Sequence, residues 1–351
     1  MSRVYVLGAG SIGSLFAHEI SKSSELVLLL RNMARVHQFR AMNNELKVIR
    51  LNLATENITS MKSTGILAQC EAPPGIIDNL IVSTKTYSTE QAIRPYVPCL
   101  TENSNVLILQ NGMGMDKILS ENYWPDLRKR PQIYQAVTTH GAYKANFNTV
   151  HHVAQGQVFL SKPEHKSLVS EEPISHPEMI QALLNNPALN VRYLPYPEFL
   201  LKQMEKLVIN ACINPLTALL DCKNGELLYG SRVSTIMRKV ISECVDVLLA
   251  EYRFELSESS VESANFLDKD RLLDVVIEVC RLTSKNSSSM REDVRALNRT
   301  EIDWLNGFIV SKGIERGIST PTNLLLSSMV KSKLSIETAS ESNSINLSYK
   351  M

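Results

Sequence analysis

The 351-residue chain lacks the features of a membrane protein and of a nucleic-acid-binding protein. Its 37 Lys and Arg residues balance 36 Asp and Glu residues, so the formal net charge is +1 and no charge bias favours nucleic acid or an anionic membrane surface. The longest apolar runs, such as residues 26–30, are far shorter than the roughly 18 residues that a membrane span requires. We therefore expect neither nucleic acid nor a membrane as a partner.

Cysteine is also sparse, and its spacing excludes two further classes of protein. The six cysteines are far apart in the chain, and none forms a C-x-x-C pair or lies near a pair of histidines. A disulfide framework or a zinc site requires closer spacing. A strand-like run begins at Arg3, so we expect no targeting segment before it. The sequence therefore predicts a cytoplasmic protein with reduced thiols and no metal site.

The remaining composition, 44% hydrophobic and 21% charged, is that of a globular protein whose two halves differ in pattern. In the first half, short apolar runs alternate with helical stretches, which predicts an α/β domain with a doubly wound, Rossmann-type parallel sheet. The predicted strands are 3–7, 25–30, 79–83, 105–110 and 132–137, the helices between them are 12–21, 33–40 and 89–100, and 150–154 and 157–160 resemble a hairpin joined at Gly156.

After residue 196 strand patterns almost disappear. Four stretches carry apolar residues at helical spacing, at 199–220, 235–252, 267–284 and 300–312. We therefore predict a sheet domain at 1–196, an all-helical domain at 197–333, and a polar, serine-rich tail at 334–351 that is disordered.

A glycine motif follows the first predicted strand and opens the first predicted helix. It has the G-x-G-x-x-G spacing, and its residues are Gly8, Ala9, Gly10, Ser11, Ile12 and Gly13. In this pattern the glycines permit a tight turn, close approach of a pyrophosphate and close packing of helix on strand. The helix amino terminus then offers N–H groups to the phosphates. The motif predicts dinucleotide binding, against the alternative of a plain strand–helix turn.

The ends of the following strands indicate which dinucleotide is bound. A site for NAD usually has an acidic residue after the second strand, but here that strand is followed by Arg31, with Arg35 one helical turn further on. A guanidinium suits the 2′-phosphate of NADP, so NADP is favoured over an uninvolved surface arginine. Lys85 and Asn111 follow the next two strands, where parallel sheets hold ligands; a loop lysine and a simple Asn-Gly turn are their alternatives.

The segment from 206 to 220 contains a helical pattern that is apolar on nearly every face. Lys206, Asn210 and Asn214 are spaced i, i+4 and i+8, so they form one polar stripe. Buried amides and ammonium groups need hydrogen-bond partners, which either a polar ligand or an internal network can supply. Pro215 lacks an N–H, so the carbonyl of Ala211 is predicted to lose its helical donor.

Three more polar residues have alternatives that the residues alone leave open. Asn224 belongs to an Asn-Gly turn, and Ser289 precedes Glu292 with the spacing of a helix capping box. Glu301 lies near the start of a helical pattern, where exposed acids are common. Each is therefore either a site residue or a local structural residue.

Several of these stretches together resemble the ketopantoate reductase (2-dehydropantoate 2-reductase) family, from about residue 3 to residue 333. The stretches are GAGSIG at 8–13, LLLR ending at Arg31, LQNGMG at 109–114, TTHGA at 138–142, KLVINACINPLTA at 206–218, NGEL at 224–227 and SSMREDVRALNRTEIDWLNGF at 288–308. Their order and the long third-quarter block make the resemblance far more specific than the glycine motif alone.

The resemblance implies NADPH-dependent reduction of 2-dehydropantoate to pantoate, in pantothenate and coenzyme A biosynthesis. Lys206 resembles the catalytic lysine of that family and its proton donor, and Glu301 resembles its acid beside nicotinamide and substrate. The implied substrate contacts are Asn111, Lys206, Asn210, Asn214, Asn224 and Ser289. The implied NADP contacts are the glycine motif 8–13, Arg31, Lys85, Asn111, Ala142 and Glu301.

Two other functions remain open at this point. One is reduction of another small 2-keto acid on the same fold, and the other is a dinucleotide-binding regulatory protein without turnover. A retired site has no physical need for a polar stripe on an apolar helix, which favours an enzyme. The partner is then a small-molecule substrate, and a homodimer is one alternative for the oligomeric state.

Overall fold

The computed structural model describes residues 2–51, 58–163 and 176–348, without the side chains of Leu51 and residues 343–348. The chain divides into two compact units. Unit 1 contains Met1–Gln110 and Gly114–Phe199, and unit 2 contains Asn111–Met113 and Leu200–Met351. The boundary at 199/200 lies close to the predicted 196/197, but the short segment 111–113 belongs to the second unit.

Unit 1 contains twelve strands within the described part of the chain. They are β1 (Arg3–Leu7), β2 (Glu25–Leu29), β3 (Leu46–Leu51), β4 (Ile58–Ser63), β5 (Leu67–Gln69), β6 (Asn79–Val82), β7 (Asn105–Leu109), β8 (Gln132–Thr138), β9 (Gly141–Lys144), β10 (Thr149–Ala154), β11 (Val158–Ser161) and β12 (Val191–Tyr193). Eight of them form one sheet in the order β12-β11-β8-β7-β6-β1-β2-β5. All pairs in that sheet are parallel except β8–β11, as predicted for a doubly wound sheet.

The helices of unit 1 separate these strands along the chain. They are α1 (Ser11–Ile20), α2 (Met33–Ala41), α3 (Thr89–Ile93), α4 (Met115–Tyr123) and α5 (Glu178–Leu184), with 3₁₀ turns at Thr86–Ser88, Arg94–Cys99 and Leu127–Lys129. The central strands are buried along almost their whole length, because parallel strands are covered on both faces. Their apolar side chains and those of α1 build the core of this unit.

A second sheet, of four strands in the order β4-β3-β10-β9, is present in unit 1 and was not predicted. The predicted hairpin of 150–154 with 157–160 is wrong, because its two strands belong to different sheets. β10 pairs with β3 and β9, whereas β11 pairs with β8 and β12 in the large sheet. Gly156 thus lies where the chain passes from one sheet to the other, and a Cβ there would lie 2.5 Å from the backbone of Thr139.

A chain of buried hydrogen bonds connects the second sheet with α1. The N–H of Gly156 donates to Nδ1 of His140, whose Nε2–H donates to the Leu189 carbonyl. His152 Nε2–H must then donate to His140 Nδ1 (2.9 Å), so that its own Nδ1 accepts from Arg50 Nε (3.1 Å). Both histidines are therefore neutral. Burial lowers both pKa values, that of His152 to about 4.

The same chain ends on a buried carboxylate. Arg50 Nη2 donates to Glu19 Oε1 (2.5 Å), and Lys22 donates to Glu19 Oε2 (2.6 Å). Burial acts to raise the pKa of Glu19, but these two cations outweigh it and the pKa is lowered. The second sheet is thus joined to α1 by the Arg50–Glu19 pair at one end of this chain, and the neutral histidines extend the chain to the Leu189 carbonyl at the other end.

Within the residues that the structure describes, the regular secondary structure of unit 2 is entirely helical. Its helices are α6 (Tyr196–Leu220, whose first residues belong to unit 1), α7 (Val233–Glu251), α8 (Arg253–Leu256), α9 (Ser263–Phe266), α10 (Lys269–Leu282), α11 (Ser289–Arg295), α12 (Asn306–Arg316) and α13 (Pro321–Ser348), with 3₁₀ turns at Asn224–Tyr229 and Ile302–Trp304. No helix in the described ranges is both long and apolar enough to cross a bilayer.

The prediction of a disordered tail from residue 334 is wrong as far as residue 348, because α13 continues to Ser348. Lys333 makes three contacts where the predicted tail begins. The Lys333 ammonium donates to the carbonyls of Ala218 and Leu219 at the end of α6, and it lies 3.7 Å from Glu337 one turn further along α13. These contacts fix the helix where the serine-rich composition alone indicates fraying.

Candidate functional site

The glycine motif forms the turn between β1 and α1 in unit 1. A Cβ at Gly13 would lie 1.9 Å from the Gly8 carbonyl oxygen, so this residue permits the close approach of helix and strand. Ser83, after β6, donates from its hydroxyl to the Gly8 carbonyl (2.7 Å) and fixes the turn from the neighbouring strand. Space for a ligand lies elsewhere in the motif. Apart from Gly10 itself and its two chain neighbours, no described residue has an atom within 4 Å of a Cβ built on Gly10.

The amino terminus of α1 has the properties of a phosphate site. In the described part of the chain no side chain caps it, and its first turn contains no acidic residue. The N–H groups of that turn and the positive end of the helix dipole thus face the open space at Gly10. Gly8–Gly13, including Ala9, Ser11 and Ile12, therefore fit the pyrophosphate of a dinucleotide.

Positive charges surround the end of β2 next to this turn. Arg31 is exposed, and Arg35, in the first turn of α2, is half-buried beside Phe147, with its Cζ 5.1 Å from the ring centroid. Lys144 at the end of β9 lies on the same ring at 5.2 Å, and its ammonium donates to the Ala9 carbonyl (2.7 Å). Sequence reasoning missed Lys144, because nothing in the local pattern indicates that β9 ends at the glycine turn.

The loop after β6 carries Lys85 and is held by a neighbour that sequence reasoning also missed. Gln110, at the end of β7, donates from Nε2 to the Thr84 carbonyl (2.5 Å) and to the Thr89 hydroxyl (2.6 Å). Lys85 is half-buried between these two contacts. The family motif LQNGMG includes this glutamine, which was the available signal. Ala142, the remaining predicted cofactor contact in unit 1, lies in β9 opposite His152 of β10.

The predicted substrate residues all belong to unit 2, including Asn111. Lys206 lies on α6 on one face with Asn210 and Asn214. Its side chain is half-buried, and desolvation of the ammonium lowers its pKa to about 8, against the opposing effect of the nearby Glu301 carboxylate. A lysine whose pKa is lowered towards neutrality can release a proton readily at physiological pH.

Glu301 lies close to residues from two distant stretches of the sequence, Asn111 and Lys206. It is 6% exposed and accepts a hydrogen bond from Asn111 Nδ2 (3.3 Å) at Oε2. The backbone next to Asn111 packs closely against the 3₁₀ turn Ile302–Trp304, which follows Glu301. Gly112 has φ +84°, and a Cβ there would lie 2.5 Å from the Trp304 carbonyl oxygen. The alternative of an exposed acid at a helix start is therefore wrong for Glu301.

The polar residues in the second half of α6 are of two kinds, since Thr217 lies beyond the stripe of Lys206, Asn210 and Asn214. Thr217 donates to the Ile213 carbonyl (2.8 Å) and hydrogen-bonds Ser288 Oγ (2.7 Å), so it belongs to an internal network. Within the described ranges, the amides of Asn210 and Asn214 have no hydrogen-bond partner. An internal network therefore accounts for Thr217 and not for the two asparagines.

Ser289 is exposed and is the first residue of α11. The helix cap is its neighbour Ser288, whose Oγ accepts from the Arg291 N–H (3.1 Å). The capping-box alternative for Ser289 is therefore wrong, because Ser288, one residue earlier in the run of serines, caps the helix. Its hydroxyl is not needed for the cap.

Asn224 starts the 3₁₀ turn after α6 and is 8% exposed. Its Nδ2 donates to the Thr283 hydroxyl (2.9 Å), while its Oδ1 is buried without a partner in the described residues. Such an acceptor is costly to bury unless a ligand donates to it. Among the residues that the structure describes, neither Asn224 nor Ser289 hydrogen-bonds Lys206 or Glu301.

The Ala211 carbonyl, which is predicted to lose its helical donor at Pro215, has another donor in the structure. α6 continues through Pro215, and the Ala211 carbonyl accepts instead from Asn306 Nδ2 (3.0 Å). The same Nδ2 group donates to Asn323 Oδ1 (3.0 Å), and Glu243 accepts from the Asn323 side chain and backbone. Sequence reasoning identified the unpaired carbonyl but not its partner, which lies 95 residues further along the chain.

These residues supply complementary chemistry. Unit 1 offers N–H groups and cations to a phosphorylated dinucleotide, while unit 2 offers an acidic ammonium, a buried carboxylate and amides with unused hydrogen-bonding capacity. The second set suits a small polar molecule that carries an oxygen on which negative charge develops.

Comparison with known proteins gives consistent matches over most of the chain. The family model described as ketopantoate reductase PanE/ApbA matches residues 4–165, and its C-terminal counterpart matches residues 198–334. A probable 2-dehydropantoate 2-reductase from Schizosaccharomyces pombe is 38% identical over 342 residues, covering 95% of this chain and 97% of its own.

Two solved structures share the fold. A probable 2-dehydropantoate 2-reductase from Bacillus subtilis has a TM-score of 0.70 at 23% identity and covers 94% of this chain and 99% of its own. D-mandelate dehydrogenase, in a ternary structure with NADH and anilino(oxo)acetate, has a TM-score of 0.75 at 22% identity and covers 95% and 98%.

Proposed function

Because the chain belongs to the ketopantoate reductase family, we propose that it reduces 2-dehydropantoate to pantoate with NADPH, a step of pantothenate biosynthesis. The observation that carries the proposal is the pair of Lys206 and Glu301 in unit 2. A half-buried ammonium with a pKa of about 8 lies close to a carboxylate that Asn111 holds in place. That pair provides both a proton donor and an acceptor for a substrate hydroxyl.

Lys206 is the proposed proton donor. Its ammonium hydrogen-bonds the keto oxygen and transfers a proton to it as negative charge develops there. When bound, NADPH supplies the hydride to the keto carbon. Removing the amine should therefore slow the chemical step by about 10²–10⁴-fold, the usual contribution of a positioned acid.

The amides and Ser289 are the proposed substrate-binding groups. Asn210 and Asn214 have no partners among the described residues, and Asn224 has a buried unpaired oxygen, so a ligand carboxylate and hydroxyl would satisfy them. Neutral donors bind the substrate without adding a second cation beside Lys206. Glu301 accepts from the terminal hydroxyl of 2-dehydropantoate, which favours this substrate over keto acids without one.

We assign NADP as the dinucleotide, and Arg31 and Lys85 as contacts of its 2′-phosphate. The support is the exposed guanidinium directly after β2, where an NAD site has an acid. Arg31→Asp removes the cation and adds repulsion, so affinity for NADPH should fall more than affinity for NADH. An unchanged ratio of the two affinities would contradict the assignment of Arg31.

The function is tested by following NADPH absorbance in purified protein with a small panel of keto acids. We expect 2-dehydropantoate to be reduced fastest, ahead of trimethylpyruvate and benzoylformate. Lys206→Ala should retain NADPH binding and lose single-turnover reduction. If benzoylformate were the best substrate, the protein would be a reductase of another 2-keto acid, and tight NADPH binding without any reduction would make it a regulatory protein.

A further inference from the structure

Lys144 lies beside the glycine turn, in a position that the proposed function leaves unused. Its ammonium donates to the Ala9 carbonyl at 2.7 Å, between the first two glycines of the motif. β9 brings it there, because the antiparallel register pairs Lys144 with Val150 and Ala142 with His152. The lysine is therefore fixed at the ligand-binding edge of unit 1 by a whole strand.

A second cation is held next to it by the same aromatic ring. Phe147 lies under Lys144 Nζ at 5.2 Å and under Arg35 Cζ at 5.1 Å, and it packs edge-on against the buried Phe39 of α2. Gln38 accepts from Arg35 Nη1 (2.9 Å) and orients the guanidinium. Two positive groups on one anchored ring repel one another unless an anion lies between or beside them.

No carboxylate supplies that anion within the described part of the chain. Lys144 and Arg35 form no ion pair there, and the pKa of Lys144 is lowered to about 8 by burial and then by Arg35, with no acid opposing the shift. A protein seldom keeps a desolvated lysine beside an arginine without a counter-charge, because the charged form is then penalised twice.

We propose that Lys144, together with Arg35, binds the adenosine 2′-phosphate of NADP(H), so that Lys144 is a specificity-determining residue for the phosphorylated cofactor. The inference rests on the NADP part of the proposed function. Lys144 also contacts Ala9 of the pyrophosphate turn, but Arg35, which shares the Phe147 ring with it, belongs to the helix that follows β2, and this pairing favours the 2′-phosphate. The Lys144 ammonium would then either transfer its hydrogen bond from the Ala9 carbonyl to a phosphate oxygen or donate to both.

Equilibrium binding of cofactor fragments tests this without turnover. The probes are 2′,5′-ADP, which carries the 2′-phosphate, ADP, which carries the pyrophosphate, and 5′-AMP as the reference, each titrated by calorimetry into wild type and Lys144→Met. We expect 2′,5′-ADP affinity to fall by about 10- to 100-fold, the loss of one charged hydrogen bond, with ADP affinity unchanged. Lys144→Arg should restore most of the 2′,5′-ADP affinity.

The control is Lys62→Met, in β4 of the same four-stranded sheet, where the lysine pairs with Glu45 instead. It should leave both affinities unchanged. An equal loss of ADP and 2′,5′-ADP binding in Lys144→Met, with a lower melting temperature, would mean that Lys144 only supports the turn through Ala9 and would overturn the proposal. A selective loss of ADP binding would move Lys144 to the pyrophosphate and overturn it as well.

The wild-type titrations separate this inference from the proposed cofactor. If wild type binds 2′,5′-ADP no better than 5′-AMP, the NADP assignment fails and the role of Lys144 fails with it. If wild type prefers 2′,5′-ADP and Lys144→Met keeps that preference, only the role of Lys144 is contradicted. If Lys144→Met does not fold, the same comparison is made with Lys144→Gln.

Discussion

The side-chain amide of Asn306 replaces a backbone donor that Pro215 removes from α6. Asn306 Nδ2 lies 3.0 Å from the Ala211 carbonyl oxygen, which an ordinary residue at 215 would satisfy with its N–H. Ala211 lies one residue after Asn210 and three before Asn214, so this bond stabilises the helix in the middle of the polar stripe. The contribution of this hydrogen bond therefore depends on the proline, and the effects of substituting Asn306 and Pro215 on the free energy of unfolding should be coupled.

We expect Asn306→Ala to lower the free energy of unfolding by about 1–3 kcal/mol, since it leaves a buried carbonyl unpaired. In a Pro215→Ala background the loss should be smaller, because residue 215 then supplies the missing N–H. Denaturant unfolding of the two single variants and the double variant measures the coupling. Asn298→Ala, at an exposed asparagine, is the control and should cost little. Strictly additive losses would contradict the exchange of donors.

The pH dependence of reduction should report the ionisation of Lys206. Its pKa is lowered to about 8, so the protonated fraction, which donates the proton, falls as pH rises through that value. We expect kcat/KM for the keto acid to decline above about pH 8 and kcat/KM for oxidation of the hydroxy acid to rise. Lys206→Arg keeps its charge over this range and should lose the decline, whatever its absolute rate. A wild-type profile that is flat from pH 7 to roughly 9.5 would contradict the assignment.

The same lowered pKa has a consequence for stability. Between about 8 and the ordinary value of 10.5 the unfolded chain binds more protons at Lys206 than the folded chain does, so stability rises with pH in this window. Below it, the desolvated charge is a cost. Lys206→Met should therefore stabilise the protein at pH 7 by up to roughly 3 kcal/mol, and the gain should disappear towards pH 10.5. Denaturation of Lys202→Met, which removes a pair with Glu205 on the same helix, should show no such gain.

Acid should destabilise unit 1 through its neutral histidines. The pKa of His152 is lowered to about 4 by burial, so between 6.5 and about 4 the unfolded chain takes up a proton that the folded chain does not. Stability is thus lost as pH falls through this window, by up to about 1.4 kcal/mol per pH unit for one proton. His152→Gln can donate to His140 and accept from Arg50, and it should reduce the slope. His37→Gln, at an exposed position, should leave the slope as it is in wild type.

Glu301 should select the substrate by its hydroxyl. Glu301→Gln keeps the shape of the side chain but replaces a charged acceptor, a loss of roughly 1.5–3 kcal/mol for 2-dehydropantoate. Trimethylpyruvate, which lacks that hydroxyl, should be affected little. The measurement is kcat/KM for both substrates with the same enzyme. Equal losses would place Glu301 on the cofactor side or in a structural role.

The sequence predicted the elements whose signals are local. The five predicted strands match β1, β2, β6, β7 and β8 to within one residue at each end, because a strand buried on both faces is a continuous apolar run bounded by polar residues. The second sheet was missed for the opposite reason. β4 (ITSMKS) is half-polar and largely exposed, and β9 (GAYK) has only four residues. The pairing that completes the sheet, β3 with β10, joins residues 47–50 to the distant residues 149–152.

The site shows the same division between local pattern and distant contact. Helical spacing was enough to place Lys206, Asn210 and Asn214 on one face of α6, and proline chemistry was enough to predict an unpaired carbonyl at Ala211. Nothing in the sequence indicates that Asn111 contacts Glu301, or that Lys144 reaches Ala9, because each pair is joined only by the fold. Three adjacent serines also left the cap of α11 uncertain by one residue, which only the Ser288 hydrogen bonds decide.

The cost of Lys206 to folding predicts how this gene would change if selection for turnover ended. Desolvation outweighs the Glu301 carboxylate in its effect on the pKa of Lys206 and favours an uncharged side chain at position 206, so an apolar replacement would be retained by selection for abundance alone. Gly13 has no such alternative, because any larger residue meets the Gly8 carbonyl. In a lineage that lost the reaction, the lysine would therefore be replaced while the glycine turn was still intact, and an apolar residue at 206 would be an early genetic mark of that loss.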